Sequence, residues 1–228
     1  MKYSVILLSG GTGSRMHNSI PKQYMLVAGK PMIMHSLEKI DLLENVETII
    51  IVCHESFIDN INLMLEQYGI RKKVVYATAG KTRQESVFSG LKKVTTDGVI
   101  IHESARPFVS IDDYKKIIDC KSENAITGID IPFTVVKGNK HVTGLLNRSE
   151  LVNVQLPQKF NTKQLLNAHF MASKDNITFT EDSSLLLNYF PNVEIDIIEG
   201  QNYNIKITTR LDMLFGEIIY DEFFRRIK

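Results

Sequence analysis

Buried strands that alternate with amphipathic helices constrain the fold of this chain more than any other feature. Residues 47–53 form a continuous, mostly β-branched run, which is typical of a strand covered on both faces of a parallel sheet. Similar short strands are predicted at residues 3–8, 73–77 and 98–102, with loops and helical apolar spacing between strands. This order predicts an α/β fold with a doubly wound, mostly parallel sheet.

The remaining elements follow from the same patterns. Pro31 suits the first turn of a helix, and Ser110 is a typical N-cap for another helix. Further helices are predicted at residues 57–68, 163–172, 179–188 and 209–228, and one that contains Val87, Leu91 and Val94. Further strands are predicted at residues 124–131, 193–198 and 204–208.

The middle of the chain breaks this alternation. Residues 133–142 are predicted to form two strands around a turn at Gly138-Asn139. This hairpin is interpreted either as a protruding arm at residues 132–151 or as an edge hairpin of the main sheet. Otherwise residues 1–228 are expected to form a single domain.

Composition narrows the class of protein. Hydrophobic residues make up 43% of the 228 residues, which is enough for a full core, and the formal net charge is only +1. A nearly neutral chain does not favour a nucleic acid or a membrane surface as a partner. Cys53 and Cys120 are far apart and are expected to be reduced thiols. With no apolar stretch that fits a signal or a span, a cytoplasmic location is expected.

A glycine-rich stretch directly follows the first predicted strand. It reads Ser9-Gly10-Gly11-Thr12-Gly13-Ser14-Arg15 and is followed by Lys22. Glycines allow a close backbone approach to a ligand, and successive N–H groups form a concave anion site. The spacing fits neither the P-loop nor the dinucleotide fingerprint. The stretch is interpreted as a loop that binds a nucleoside triphosphate, with a turn that binds no ligand as the alternative.

Two further unusual loops, near Gly80 and His102, also follow predicted strands. The carboxyl ends of parallel strands meet at one edge of the sheet, where α/β folds bind ligands. The three loops are therefore expected to form one site.

Charged residues in these loops indicate a reaction class. Glu103 suits a metal ligand or a solvated loop acid, and Arg106 beside Pro107 suits a phosphate contact or an ion pair. His102 is interpreted as a hydrogen-bonding rather than a catalytic residue. Because no nucleophile is evident, positioning and charge stabilisation are the expected mechanism. The interpretation is transfer of a nucleotidyl group to a substrate phosphate, with pyrophosphate leaving.

Over nearly its whole length the chain resembles the cytidylyltransferases that act on methylerythritol phosphate or on ribitol 5-phosphate. The resemblance rests on the segments Ser9-Gly10-Gly11-Thr12-Gly13-Ser14-Arg15-Met16, Pro21-Lys22-Gln23-Tyr24, Gly80 to Ser86, His102-Glu103-Ser104-Ala105-Arg106-Pro107, Pro157-Gln158 and Asn204-Ile205-Lys206-Ile207-Thr208.

The resemblance implies a Rossmann-like nucleotidyltransferase fold and assigns roles to residues. Arg15, Lys22 and Lys206 are implied as catalytic, and Glu103 as the ligand of Mg2+ or another divalent cation. Contacts to CTP are implied for Leu8, Ser9, Gly10, Gly11, Thr12, Gly13, Gly80, Arg83, Ser86, Ser104, Ala105 and Arg106.

Contacts to a polyol phosphate are implied for Thr134, Arg148, Tyr203 and Thr208. Thr134 and Arg148 lie on the hairpin, which in this family embraces a partner subunit. A homodimer with shared active sites is therefore expected.

Two departures from the family pattern affect the substrate. The metal position is usually Asp, whereas this chain has Glu103, and Tyr203 stands where methylerythritol enzymes usually carry an acid. Tyr203 favours ribitol 5-phosphate as the substrate, with 2-C-methyl-D-erythritol 4-phosphate as the alternative. Two further hypotheses are a nucleotidyltransferase that uses UTP or GTP, and a nucleotide-binding regulator without catalysis.

Overall fold

A computed structural model describes residues 1–11 and 21–225 of the chain. The described strands are β1 Tyr3–Leu8, β2 Leu26–Val27, β3 Lys30–Pro31, β4 Val46–Cys53, β5 Lys73–Thr78, β6 Gly98–Glu103, β7 Ala125–Asp130, β8 Val136–Gly138, β9 Val142–Leu145, β10 Val152–Asn161 and β11 Asp196–Glu199. The described α-helices are α1 Met32–Asp41, α2 Ile58–Gln67, α3 Arg83–Leu91, α4 Ile111–Asp119, α5 Thr162–Asp175, α6 Asp182–Tyr189 and α7 Arg210–Phe223.

Seven strands form the central sheet in the order β11-β7-β10-β6-β1-β4-β5. β1 runs parallel to β4 and β6, and Ile6 lies opposite Ile50 on one side and Ile101 on the other. β5 and β11 also pair in parallel with their neighbours, whereas β10 is antiparallel to both β6 and β7. The predicted α/β fold with a mostly parallel sheet is confirmed.

Alternate residues of the central strands pack on opposite faces of this sheet. Val5 and Leu7 of β1 join a buried cluster with α1, α2 and α4, while Ile6 joins another cluster with α3, α5 and α6. All three side chains are fully buried. The apolar run of each central strand thus reflects helices on both sides of the sheet, as expected for parallel strands.

Ser110 begins helix α4 as predicted. Its hydroxyl accepts a hydrogen bond from the backbone N–H of Asp113 at 3.0 Å, and the Asp113 carboxylate accepts one from the backbone N–H of Ser110 at 2.9 Å. This reciprocal capping box satisfies amide groups that a helix N-terminus otherwise leaves unpaired. It fixes the chain direction immediately after the loop that follows β6.

Two strand predictions need correction. β10 is missing from the sequence prediction because Pro157 interrupts its pattern, yet its register with β7 shifts between Gln155 and Gln158. Such a bulge accommodates proline within a paired strand. The strand predicted at residues 204–208 is not formed, because this segment crosses the loop after β6, where Ile207 N–H donates to the carbonyl of Ala105 at 2.8 Å.

The predicted hairpin is present and forms a two-stranded sheet of its own, β8 with β9, separate from the central sheet. Its strands are almost entirely exposed. Within the described residues the hairpin therefore does not extend the central sheet, and the protruding arm stays a prediction.

Cys53 and Cys120 are both free thiols, in agreement with the sequence. Across the described ranges, the helices lack the combination of length and apolar character that a membrane span requires.

Candidate active site

A cavity of about 450 Å3 opens at the carboxyl ends of β1, β5 and β6, where the three unusual loops meet. The sequence-predicted residues that line it are Leu8, Gly10, Gly11, Lys22, Gly80, Arg83, Ser86, Glu103, Ser104, Ala105 and Lys206. Thr12, Gly13 and Arg15 lie outside the described residues. The convergence predicted from strand order is thus present in the fold.

Gly10 lies where the loops after β1 and β5 approach each other closely. The backbone N–H of Ser9 donates to the carbonyl of Val52 at 2.8 Å, and that of Ala79 donates to the carbonyl of Cys53 at 3.0 Å. A Cβ on Gly10 would lie only 2.3 Å from the Cβ of Ala79. The glycine is therefore required by the packing of the two loops.

We expect Gly10→Ala to lower the free energy of unfolding by about 1–3 kcal/mol, because the added methyl group overpacks this contact. Gly11→Ala is the matched control, since no heavy atom of the described residues lies within 4 Å of a Cβ built on Gly11. Urea unfolding of both variants measures the difference. Equal stabilities for the two variants would contradict the assigned role of Gly10.

The N-terminus of α3 faces the same cavity. Thr82 caps this helix by accepting a hydrogen bond from the backbone N–H of Glu85 at 3.1 Å, and both Lys81 and Thr82 line the cavity. Ser86 holds the preceding loop, because its hydroxyl accepts a hydrogen bond from the N–H of Gly80 at 3.0 Å. Backbone amides at a helix N-terminus favour anions such as phosphate groups.

Glu103 is the central charged residue of the cavity. Its carboxylate lies 3.1 Å from Nε of Arg83 and 2.5 Å from Nζ of Lys206. Burial by itself raises the pKa of Glu103, but the charges of Lys206 and Arg83 prevail and lower it to about 2. Glu103 is therefore an ionised carboxylate at neutral pH and holds two cations at the cavity wall.

Lys22 and Lys206 converge through the segment that crosses the loop after β6. Nζ of Lys22 donates to the carbonyl of Ile207 at 2.8 Å, next to Lys206 in the chain. The same segment is fixed by Arg106, which donates to the carbonyl of Asn204 at 2.8 Å. Two ammonium groups from distant parts of the chain thus lie beside one cavity.

Six predicted contact residues do not line this cavity. Ser9 is buried beneath it, and its carbonyl accepts a hydrogen bond from Gln23, while Arg106 is directed to Asn204. The hydroxyl group of Thr208 donates a hydrogen bond to the carboxylate of Asp212. The others are Tyr203, Thr134 and Arg148.

Tyr203 is packed in an aromatic cluster instead. Its ring centroid lies 4.9 Å from that of Phe223 and 5.6 Å from that of Phe224. Tyr203 therefore has a packing role at the end of α7, which weakens its use as an indicator of the substrate.

Thr134 and Arg148 are exposed on the arm, and Arg148 donates to the carbonyl of Pro132 at 2.9 Å. Neither residue lines the cavity within this chain. Arg148 begins a short 3-10 helix, Arg148–Glu150, just before β10.

His102 is excluded as an acid or base by its surroundings. It is fully buried, and Nε2 lies 3.0 Å from the carbonyl oxygen of Arg106. Burial, the largest effect, lowers the pKa of His102 to about 3, so that it remains neutral at physiological pH. The sequence interpretation of a hydrogen-bonding histidine agrees with this placement.

Several lining residues were missed by the sequence reasoning. Gln23, His54, Lys81 and Thr82 also line the cavity. His54 directly follows β4, so the rule that placed the three loops could have identified it. The contacts of Asp182 and Glu181 with Arg83 had no such signal, because these residues are far apart in sequence.

The residues of the cavity fit a divalent cation only in part. Within the described residues no group of three or more His, Cys, Asp or Glu side chains could hold a metal by itself. Mg2+, however, is commonly bound by one or two carboxylates together with substrate phosphates and water. Glu103 lines the cavity as an ionised carboxylate and can supply one such ligand.

Comparison with known proteins identifies the family. Residues 3–222 match the family model described as IspD, 2-C-methyl-D-erythritol 4-phosphate cytidylyltransferase. The chain is 36% identical over 227 residues to a protein of that name from Clostridium botulinum, covering 97% of this chain and 98% of the relative. The chloroplastic protein of rice is 35% identical over 225 residues, covering 96% and 74%.

Solved structures agree with this result. The 4-diphosphocytidyl-2C-methyl-D-erythritol synthase of Anaerococcus prevotii has a TM-score of 0.85 at 26% identity, over 96% of this chain and 98% of that chain. The cytidylyltransferase of Francisella tularensis has a TM-score of 0.78 at 26% identity, over 96% and 100%. The resemblance to cytidylyltransferases is confirmed. The expectation that the chain is of the ribitol 5-phosphate type is corrected, because these relatives are of the methylerythritol phosphate type. The chain belongs to the 2-C-methyl-D-erythritol 4-phosphate cytidylyltransferase family.

Proposed function

We propose that this chain transfers a cytidylyl group from CTP to 2-C-methyl-D-erythritol 4-phosphate and releases pyrophosphate. The observation that carries this proposal is the convergence of Lys22 and Lys206 at a cavity walled by the glycine loop and α3. The proposal takes its two substrates from the family to which the chain belongs.

In the proposed reaction a phosphate oxygen of the methylerythritol phosphate attacks the α-phosphorus of CTP. A new P–O bond forms, the bond between the α-phosphorus and the bridging oxygen breaks, and pyrophosphate leaves with its electron pair. Lys22 and Lys206 stabilise the negative charge that gathers on the α-phosphate oxygens during this displacement. Preorganised cations in a partly enclosed site are well suited to such stabilisation.

The nucleotide is proposed to lie between the glycine loop and α3. Backbone amides after β1 and at the N-terminus of α3 hold phosphate oxygens, and Gly80 and Ser86 contact the nucleoside. Glu103 would supply one ligand to a divalent cation at this site, and such a cation would neutralise negative charge on the phosphates. Besides stabilising charge through the two lysines, the residues of the chain hold the two reacting phosphates in line.

Ribitol 5-phosphate remains the comparison substrate for the test. Pyrophosphate release is measured with CTP and either polyol phosphate, and then with UTP or GTP in place of CTP. We expect release with CTP and methylerythritol phosphate, and much less with the other combinations. Release only with ribitol 5-phosphate would overturn the substrate assignment, and no release with either polyol phosphate would overturn the enzyme assignment.

The arm is proposed to reach the active site of a second copy of this chain. Large apolar side chains are exposed along it, with Phe133 77% and Leu145 82% accessible. Clustered exposed apolar residues indicate a surface that another protein covers. A second copy is the favoured occupant, because it would bring Thr134 and Arg148 to a cavity that they do not line within one chain.

Mixing two inactive variants tests this sharing of sites. Consider a mixed dimer of one Arg148→Ala subunit and one Lys206→Ala subunit, in which each arm reaches the cavity of the other subunit. The cavity of the Arg148→Ala subunit then has its own Lys206 and receives an intact Arg148, whereas the other cavity lacks both residues. We expect mixed and re-equilibrated variants to recover about one quarter of the wild-type rate, since about half of the dimers are mixed and each has one intact site. Either variant alone is expected to be poorly active at low concentrations of polyol phosphate. A mixture no more active than its components would contradict shared sites.

A further inference from the structure

A buried line of charged side chains runs from α5 to the cavity. Nε2 of His169 lies 2.9 Å from Oδ1 of Asp182, and Nη1 of Arg83 lies 2.7 Å from Oδ2 of the same carboxylate. Arg83 then contacts Glu103 through Nε at 3.1 Å, and Glu103 contacts Lys206 at 2.5 Å. The line joins α5, α6, α3 and β6 to the lysine assigned to catalysis.

The part of this line farthest from the cavity is enclosed by protein. Asp182 and His169 are each only 1% exposed, and neither lines the active-site cavity. The ring of His169 is stacked against that of Phe88 of α3, with centroids 5.9 Å apart. Burying a carboxylate is costly unless charged and hydrogen-bonded partners compensate it, and Asp182 has both.

The two carboxylates fix the plane of the Arg83 guanidinium group. Asp182 binds Nη1 and Glu103 binds Nε, so the group is held from two directions. Glu181 lies farther away, 3.8 Å from Nη2. Without Asp182, the guanidinium group could rotate about its contact with Glu103, and the carboxylate of Glu103 would lose its fixed orientation toward Lys206. Positional errors of this kind reduce rates strongly in sites that act by orientation.

We propose that Asp182, itself oriented by His169, is a positioning residue that fixes Arg83 and thereby the Glu103–Lys206 pair. This role rests on the proposed function, because it concerns the lysine that stabilises the transferred phosphate. It assigns a part in the reaction to two residues that lie outside the cavity.

The kinetic test uses Asp182→Asn, which preserves the shape of the side chain and removes its charge. We expect kcat to fall about 10- to 100-fold, as is typical when a residue that orients a ligand-binding group is removed. The KM for CTP should change much less, because the glycine loop and the N-terminus of α3 remain in place. The control is Asp41→Asn, which removes another buried carboxylate that binds an arginine, Arg71, at 3.3 Å.

A pair of variants at His169 separates positioning from stability. His169→Leu removes the group that contacts Asp182 and should lower kcat, whereas His169→Gln retains an N–H donor and should restore most of the rate. Melting temperatures are measured for all variants. The relation between loss of kcat and loss of melting temperature is taken from wild type and Asp41→Asn. If the variants at Asp182 and His169 follow the same relation, the proposal is overturned. A wild-type kcat in Asp182→Asn would also overturn it.

The Nε–H signal of Arg83 provides a measurement that does not need turnover. In 1H–15N NMR spectra, with the signal assigned through Arg83→Lys, we expect a protected resonance that shifts and exchanges faster in Asp182→Asn but not in Asp41→Asn. An unchanged signal in Asp182→Asn refutes the positioning role. If the wild type releases no pyrophosphate, the proposed function fails while this measurement still decides whether Asp182 fixes Arg83.

Discussion

Replacing Lys206 with alanine is expected to lower kcat by about 10²- to 10³-fold, as found when one preorganised donor to a developing negative charge is removed. Lys206 lies at the cavity wall, where its ammonium group contacts Glu103 at 2.5 Å. Binding of CTP should weaken much less, since the loops after β1 and β5 remain unchanged. Pyrophosphate release and CTP titration measure the two quantities separately.

Lys115→Ala is the control for this variant, because Lys115 is exposed on α4 and does not line the cavity. Lys22→Ala is expected to show a similar loss of kcat, although its contact with the carbonyl of Ile207 also supports the segment that carries Lys206. A Lys206→Ala enzyme with a near-wild-type rate would show that the transition-state charge is stabilised elsewhere.

Glu103→Gln is expected to lower both activity and stability. The amide cannot neutralise Arg83 and Lys206. Removing one partner of a buried ion pair costs about 3 kcal/mol, and we expect Arg83 to account for most of the loss, because its side chain is 22% exposed and that of Lys206, at 39%, is screened by solvent. We expect kcat to fall at least as far as in Asp182→Asn, because Lys206 loses its contact and the proposed cation site loses its carboxylate. Glu47→Gln, an exposed glutamate of β4, is the control in urea unfolding and in assays of pyrophosphate release.

The difference in unfolding free energy between wild type and Glu103→Gln is expected to depend on pH in one direction. The pKa of Glu103 falls from 4.5 in an unperturbed glutamate to about 2 in the folded protein. Its stabilising contribution is therefore complete above the unfolded value and is lost as the pH falls toward 2. The difference in unfolding free energy between wild type and Glu103→Gln should shrink below pH 4.5. A difference that grows toward acidic pH contradicts the assigned ion pairs.

Glu103→Asp addresses the departure from the family pattern. The shorter side chain keeps the negative charge but moves the carboxylate away from the cavity. We expect the concentration of Mg2+ that gives half of the maximal rate to change, because one ligand of the cation is displaced. An unchanged metal requirement would indicate that the triphosphate alone holds the cation.

Much of the fold follows from local patterns. The continuous apolar runs of β1, β4 and β6 indicate burial on both faces, and the cap at Ser110 has a short-range signal. β10 lacked such a signal, because its pairing depends on strands distant in sequence and its pattern contains Pro157. Residues 204–208 have the composition of a strand, but a loop rather than a strand lies beside them.

The same distinction applies to the site. Strand order was enough to bring Gly10, Gly80 and Glu103 to one cavity. The ion pair of Arg83 with Asp182 joins residues 99 positions apart, so it depends on the packing of α6 against the sheet and not on a local pattern. The substrate expectation based on Tyr203 was wrong for a similar reason. The side chain of Tyr203 packs against Phe223 and Phe224, which are distant from it in sequence.

The arm leaves and rejoins the central sheet at one pair of residues. Asp130 ends β7 directly opposite Val152, which begins β10. Directly opposed residues of antiparallel strands lie only about 5 Å apart, a gap that a short turn can bridge. Insertions, deletions or complete replacement of residues 131–151 thus leave the strands around the cavity in register. In evolution, residues 131–151 can therefore change in length or sequence while Asp130 and Val152 keep β7 paired with β10.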